Sequence, residues 1–447
     1  MSAVEEQQTQ AALAEATAAE PATAADKAKK KKKKNKKKKK KALRGVAIVS
    51  EEDRVACGQT SPPTIQVCEL PAFAPLPEGE GDAEKGTDIC TFPAGEFTEY
   101  HQVWNSKRIS DAELRALERQ DSGRIAALRE AAEVHRQVRM DTQRHIKPGM
   151  PLMEVARRLE SLLKKLVGFD PKDPLHRSQA FPTGLSVNHV AAHWTPNAGD
   201  KTVLQQGDII SIDFGAQIDG HMTDSAFTVA FDAKHDGIMA AVKAATETGV
   251  REAGIDVRLG DIGAAIQEVM ESHEVEYDGR TYQVKCVRNL NGHSIERYRI
   301  HAGKSVPIVD NGDSTKMEEG EYYAIETFGS TGNGHVVEDT DCSHYAVDFD
   351  AFQHAAAGQL PMPSRRAGQL FRVIENRFGS LPWARRWLHD EQLFDKFALP
   401  LKQLVDAGIV TDYPPLVDRV GCYTAQYEHN IILHPSRKEI LTRGLDY

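Results

Sequence analysis

Two aspartates, Asp213 and Asp224, flank an Asp219-Gly220 pair in a stretch otherwise rich in Ile, Phe, Val and Thr. Asp-Gly between β-branched and aromatic arms is the preferred composition of a tight type I′ hairpin turn. With Asp219 and Gly220 as the turn, Ile218 pairs with His221 and Asp213 falls opposite Ala226. Side chains alternate faces along a strand, so Ala226 shares its face with Asp224, and the two carboxylates project together as diagonal neighbours. Left unneutralised they repel, and a divalent cation between them is the chemistry the pair invites. On an isolated edge hairpin the same pair is equally consistent with two solvated carboxylates, so the rest of the chain must decide.

Three further segments set a potential ligand in apolar or glycine-flanked sequence: His293 after Gly292, Glu326 within Tyr322 to Gly329, and Glu428 within Tyr423 to Ile432. A charge in a strand among Ile, Phe and Tyr is expensive unless paired. Singly, each is more simply a polar residue on an edge strand. Together, Asp213, Asp224, Glu326 and Glu428 supply four negative charges and His293 one neutral nitrogen, which suits two divalent ions roughly 3.5 to 4 Å apart. Oxygen-rich ligation with one imidazole and no thiolate is compatible with Co, Mn, Fe or Zn and does not choose among them. Water held by such a pair is acidified toward neutrality, so hydrolysis is the natural chemistry. Among the remaining histidines, His193 and His301 are candidates for handling a substrate, against the ordinary fate of a satisfied surface or core imidazole.

These residues need a scaffold, and 447 residues suffice for two domains or one large α/β domain with extensions. No run of about 18 apolar residues exists to span a bilayer, so no membrane role is expected. The start Met-Ser-Ala-Val-Glu-Glu lacks the basic and apolar parts of a secretory signal. Six scattered cysteines without a Cys-x-x-Cys argue against a disulfide framework and a structural zinc site. A cytoplasmic protein is the expectation. The net charge of −9 hides two opposite parts: residues 1–44 carry +9 and the remainder −18. Residues 27–41 are nearly pure lysine, broken by Ala28 and Asn35. Such a segment is expected to be disordered, either as a solubilising or nuclear-localisation-like run or as a contact for a polyanion such as ribosomal RNA.

Residues 45–97 are rich in Pro and Gly and read as an extended connector, with the folded part starting near residue 98. Ser110 and Glu113 have the spacing of a capping box and open a long helical region through His145. Leu152, Val155, Leu159, Leu162, Leu163 and Leu166 make a second amphipathic helix. Helical patterns also cover about 237–253 and 261–272, the latter capped by Asp261. Between about 354 and 412 the pattern is helical once more, between strand-bearing segments, and looks inserted. Strands and helices are segregated, which favours an α+β fold with antiparallel sheet.

From about residue 98 onward the chain resembles the methionine aminopeptidases, specifically their eukaryotic type 2 branch. The resemblance is carried by Ala180-Phe-Pro-Thr-Gly184, Ala191-Ala-His-Trp-Thr-Pro-Asn-Ala-Gly-Asp200, Ile212-Asp-Phe-Gly215, Asn289-Leu-Asn-Gly-His-Ser294, Arg299-Ile-His-Ala-Gly-Lys304, Glu321 to Ser330 and Tyr423-Thr-Ala-Gln-Tyr-Glu-His429. The lysine-rich tail and the helical insertion point to type 2. The resemblance implies a pita-bread fold of pseudo-twofold halves, so that residues 98–447 would form the metallopeptidase domain. It implies Asp213 on one metal, Asp224 and Glu428 bridging, and His293 and Glu326 on the other, with Glu326 also the base. His193 would be the catalytic histidine and His301 a substrate contact. Phe181, Ile300, His344, Tyr413 and Leu416 would line a pocket for methionine. The implied substrates are nascent polypeptide N-termini with a small second residue. Two alternatives stand beside this: a pita-bread ribosome- or RNA-binding regulator, and an Xaa-Pro-type or creatine-type hydrolase.

Overall fold

Asp219 and Gly220 both adopt positive φ, +51° and +79°, the signature of the type I′ turn that their identity demands. The computed structural model describes residues 50–73, 92–118, 122–356 and 358–447. The contacts divide the chain into Met1–Arg44 and Gly45–Tyr447, and the second unit is the one described below. The expected lysine tail and residues 45–49 and 74–91 of the expected connector lie outside the described residues.

The connector is not extended where it is described. Helix α1 (Glu51–Ala56) is capped by Ser50, and a following single turn buries Val67 completely, with Leu70 and Phe73 beside it. Prolines and glycines here bend a chain that packs onto the body, so folding begins well before residue 98. Strand β1 (Glu96–Thr98) then joins the main sheet.

The helical region expected from Ser110 to His145 contains α2 (Ala112–Glu118) and α3 (Ser122–His145). Its cap is Asp111, whose Oδ1 accepts the N–H groups of Glu113 and Leu114 at 2.9 and 3.1 Å, while Ser110 bonds to the Lys107 carbonyl. Helix α4 (Leu152–Val167) buries the expected apolar stripe apart from Leu162, which is half-buried, and stops at Gly168, whose φ of +77° is the left-handed C-cap.

Strands β2 (Gly184–Val187), β3 (Val190–Ala192), β4 (Ile209–Phe214) and β5 (Ser225–Ala230) follow. β2, β4 and β5 form one antiparallel sheet with Asp213 against Ala226, while Ile218 pairs with His221 in the short strands next to the turn, which belong to a separate sheet; both registers are those the turn requires. Two helices come next, α5 (Asp236–Glu252) and α6 (Leu259–Glu271). Asp261 sits inside the first turn of α6; the cap position is Arg258, with no side-chain bond.

The second, larger sheet gathers β6 (Asn291–Ser294), β7 (Ser305–Pro307), β8 (Tyr322–Ser330), β13 (Thr424–Leu433) and β14 (Lys438–Ile440) in the order β1-β14-β13-β8-β6-β7. Helix α5 packs against β8 and β13. Between them, β9 (His344–Val347), β10 (Trp383–Ala384) and β11 (Val410–Tyr413) make a small sheet, and β12 (Leu416–Val417) pairs with β3. That sheet shares a core of its own with α7 (Phe349–Ala356), α8 (Arg365–Phe378), α9 (Arg385–Asp390) and α10 (Ala398–Asp406), centred on Phe371, Ile374, Trp383 and Leu404. Trp383, read as helical, is a strand residue, stacked between Tyr345 and Phe378.

Candidate metal centre

Asp213 leaves β4 opposite Ala226, and Asp224 stands one residue before β5 on the same face. On the other sheet, His293 of β6 lies opposite Ala324 of β8, and two residues on, Glu326 lies opposite Glu428 of β13. Period-two alternation thus aims His293, Glu326 and Glu428 at the hairpin pair. The structure brings all five expected ligands together. Nitrogen and oxygen atoms of Asp224, His293 and Glu428 lie within 4.8 Å of one another. His293 Nε2 is 3.3 Å from Asp224 Oδ2 and 3.8 Å from Glu326 Oε1. Asp213 joins through Gln426, whose Nε2 donates to Asp213 Oδ2 at 3.3 Å and Glu326 Oε2 at 3.2 Å.

The electrostatics favour a neutralising positive charge, proton or cation, among these carboxylates. Burial pushes Asp224 up to about 7. It raises Asp213, Glu326 and Glu428 well above the carboxylate range, with the neighbouring acids adding to the rise. Both Glu428 oxygens and Asp213 Oδ1 are buried without a hydrogen-bond donor. His293 Nδ1 is 3.3 Å from the Ser294 carbonyl, which can only accept, so that nitrogen bears the proton. Nε2 therefore turns a lone pair toward carboxylate oxygens, an arrangement that is repulsive until a metal stands between them. The donor set, four carboxylates and a bare imidazole nitrogen, fits divalent metal.

Beside the carboxylates opens a cavity of about 430 Å³ lined by Phe181, His193, Ile300, His301, His344 and Tyr413 among others. Burial holds His193 and His293 down to about 4, so both rings are neutral at pH 7. His301 is exposed at the cavity's edge, and its ring lies edge-on to His293 at 4.3 Å. His193 holds φ at +60°, in the left-handed region that few residues other than glycine enter. Leu416 is the exception among the expected pocket residues: it pairs with Ala192 in β12 and does not line the cavity.

Two site residues escaped the sequence reading. Gln426 and Asn430 lie two positions either side of Glu428 on one face of β13, and Asn430 Oδ1 accepts the backbone N–H of Asp224 at 2.7 Å. Period-two spacing from Glu428 was the available signal.

Residues 126–343 match the model of metallopeptidase family M24, a match that ends where the strand β9 and its helices begin. The chain is 54% identical over 356 residues to methionine aminopeptidase 2 of Clavispora lusitaniae, covering 80% of each. It is 55% identical over 359 residues to methionine aminopeptidase 2-2 of Aspergillus niger, covering 80% of this chain and 81% of that one. These relatives favour the aminopeptidase reading over the Xaa-Pro and pure binding alternatives. Among solved structures, a thermophilic Arx1 superposes with a TM-score of 0.57 at 17% identity, over 71% of this chain and 90% of that one, which attests the shared fold. An α+β, pita-bread scaffold, a buried acidic cluster and relatives of this identity lead to one conclusion: the chain belongs to the methionine aminopeptidase 2 family of the M24 metallopeptidases, enzymes that hydrolyse with the help of divalent metal.

Proposed function

We propose that this aminopeptidase releases methionine from the N-termini of nascent polypeptides whose second residue is small, at a site that holds two divalent ions. The observation that carries the reading is the convergence of Asp213, Asp224, His293, Glu326 and Glu428 beside the cavity. Divalent metal, Co, Mn, Fe or Zn, would supply Lewis acidity there. The rest falls to the chain. Glu326, with its carboxyl raised by burial, is suited to take a proton from the attacking water. His193 and His301, neutral and facing the cavity, donate to the scissile amide and its developing oxyanion. Phe181, Ile300, His344 and Tyr413 enclose the methionine side chain. The restriction to a small second residue would come from steric limits beside the carboxylates.

The test combines metal analysis with release of methionine from Met-Ala-Ser and a comparison with Xaa-Pro peptides. Asp224→Ala and Glu428→Ala should abolish turnover in folded protein; undiminished hydrolysis in either would refute the site. A second reading concerns the lysine run Lys27–Lys41, whose charge supports sequence-blind attraction to phosphate polyanions such as ribosomal RNA. The setting for both is the cytoplasm, where Cys57, Cys68, Cys286, Cys342 and Cys422 would stay the free thiols they are here.

A further inference from the structure

One wall of the cavity is made where the segment after β3 meets the start of β9, bringing His193 beside His344. Ser343 sits at that meeting and is fully buried. Its Oγ accepts the backbone N–H of Thr195 at 3.2 Å, lies 2.9 Å from His344 Nδ1, and is 3.5 Å from the carbonyl of His193. A serine hydroxyl has one proton to give. The Thr195 N–H fills an acceptor position, and of the two remaining neighbours Nδ1 is at full hydrogen-bonding distance while the carbonyl is at its limit. The shorter contact assigns the proton to Nδ1, which is then bare, and leaves the 3.5 Å approach to the His193 carbonyl without one. The ring carries its own proton on Nε2, and burial keeps it neutral.

We infer that Ser343 is a positioning residue whose hydroxyl fixes His344 as an Nε2–H donor in the cavity wall, tuning that wall to a substrate side chain ending in a soft acceptor, a thioether sulfur. This deepens the methionine reading and rests on it. Sulfur accepts weakly, but an isosteric methylene does not accept at all. The same oxygen accepts the Thr195 N–H two residues after His193, so one atom ties the segment that carries His193 to His344. Ser343 is not the sole bond across this meeting. Asn197 Nδ2 donates to the Asp341 and Cys342 carbonyls, both at 3.3 Å, and Arg386 Nη2 reaches Thr195 Oγ1 at 3.4 Å. Removing the hydroxyl therefore leaves the segments joined.

Two measurements test this. In full-length protein with ¹⁵N-labelled histidine, with the His344 signals identified by their absence in His344→Gln, long-range proton–nitrogen couplings report the tautomer. Wild type should show a bare Nδ1 on His344, and Ser343→Ala a mixture of tautomers. In parallel, kcat/KM for Met-Ala-Ser relative to norleucine-Ala-Ser should fall about three- to tenfold in Ser343→Ala, the value of one weak hydrogen bond, and hold in Ser343→Thr, which restores the hydroxyl. A protonated Nδ1 in wild type, or an unchanged ratio in Ser343→Ala, overturns the inference. The spectrum reads the tautomer whatever the protein cleaves: absence of any methionine release beside a bare Nδ1 would defeat the proposed function and leave the role of Ser343 in fixing the ring standing.

Discussion

Gln426 shows how a neutral amide can serve an acidic site. It spends both donors of one nitrogen on Asp213 and Glu326, which hang from different sheets, and so sets the outward oxygen of each. Outer partners of this kind typically change metal affinity or activity by 10- to 100-fold. Gln426→Leu should therefore weaken metal binding by about that factor, measured by titrating metal into the stripped protein; unchanged affinity would reduce the amide to a space filler. The carboxylates also predict a pH dependence for metal-free protein. Asp224 is raised from its ordinary value to about 7 by burial, so the folded state holds a proton that the unfolded chain releases near pH 4. Stability must then fall as pH rises from about 4 to about 7, and added divalent metal should cancel the fall. A melting temperature rising over that window without metal would contradict this. The Asp213–Asp224 register was legible because turn chemistry dictates it. Ser343 was not, since an adjacent Ser-His pair carries no distinguishing pattern and its tie to Thr195, 148 positions away, is a tertiary contact.

Among the elements, α3 departs furthest from what its sequence suggests. Glu133, His135, Gln137 and Arg139 are essentially buried, although charged helices are ordinarily solvated. Each has a partner: Arg136 and Gln137 bond Glu133, Arg139 bonds the Thr442 carbonyl and Asp446, and His135 bonds the Ser225 carbonyl while stacking on Phe214. Such pairing is invisible until tertiary structure supplies the acceptors, whereas the leucine stripe of α4 announces its buried face in one dimension. The helices around β9 to β11 are held by a similar device. Arg386 of α9 makes a two-pronged bond to Glu160 of α4, at 2.8 and 2.5 Å, and Trp387 donates to the same carboxylate. Glu160→Ala strands a buried guanidinium and an indole N–H, and should cost about 3 to 5 kcal/mol, read from the denaturant midpoint. A loss under about 1 kcal/mol would mean water satisfies them.

At the scale of the molecule, the charge separation between residues 1–44 and the remainder is the plainest feature of the sequence. Deleting residues 1–44 should reduce co-sedimentation with ribosomes at moderate salt and flatten its salt dependence, while cleavage of Met-Ala-Ser continues. Equal co-sedimentation of both forms would remove the polyanion reading. No helix among the described residues is long and apolar enough to cross a membrane. The α+β class followed from segregated strands and helices, but the division of the site between two of the sheets did not, because alternation marks a strand without naming its neighbours.

That division has a physical result. Where β5 passes β13 there is no shared ladder; the Ser225 and Thr228 hydroxyls donate to the Glu428 and Gln426 carbonyls, both at 2.7 Å, and Tyr447 spans Ala226 and Glu428. Asp213 and Asp224 stand on one side of this seam and His293, Glu326 and Glu428 on the other. A cation gripped from both banks would work as a rivet, and pulling it out with a chelator should let the seam breathe, quickening amide exchange in β4 and β5 ahead of β8.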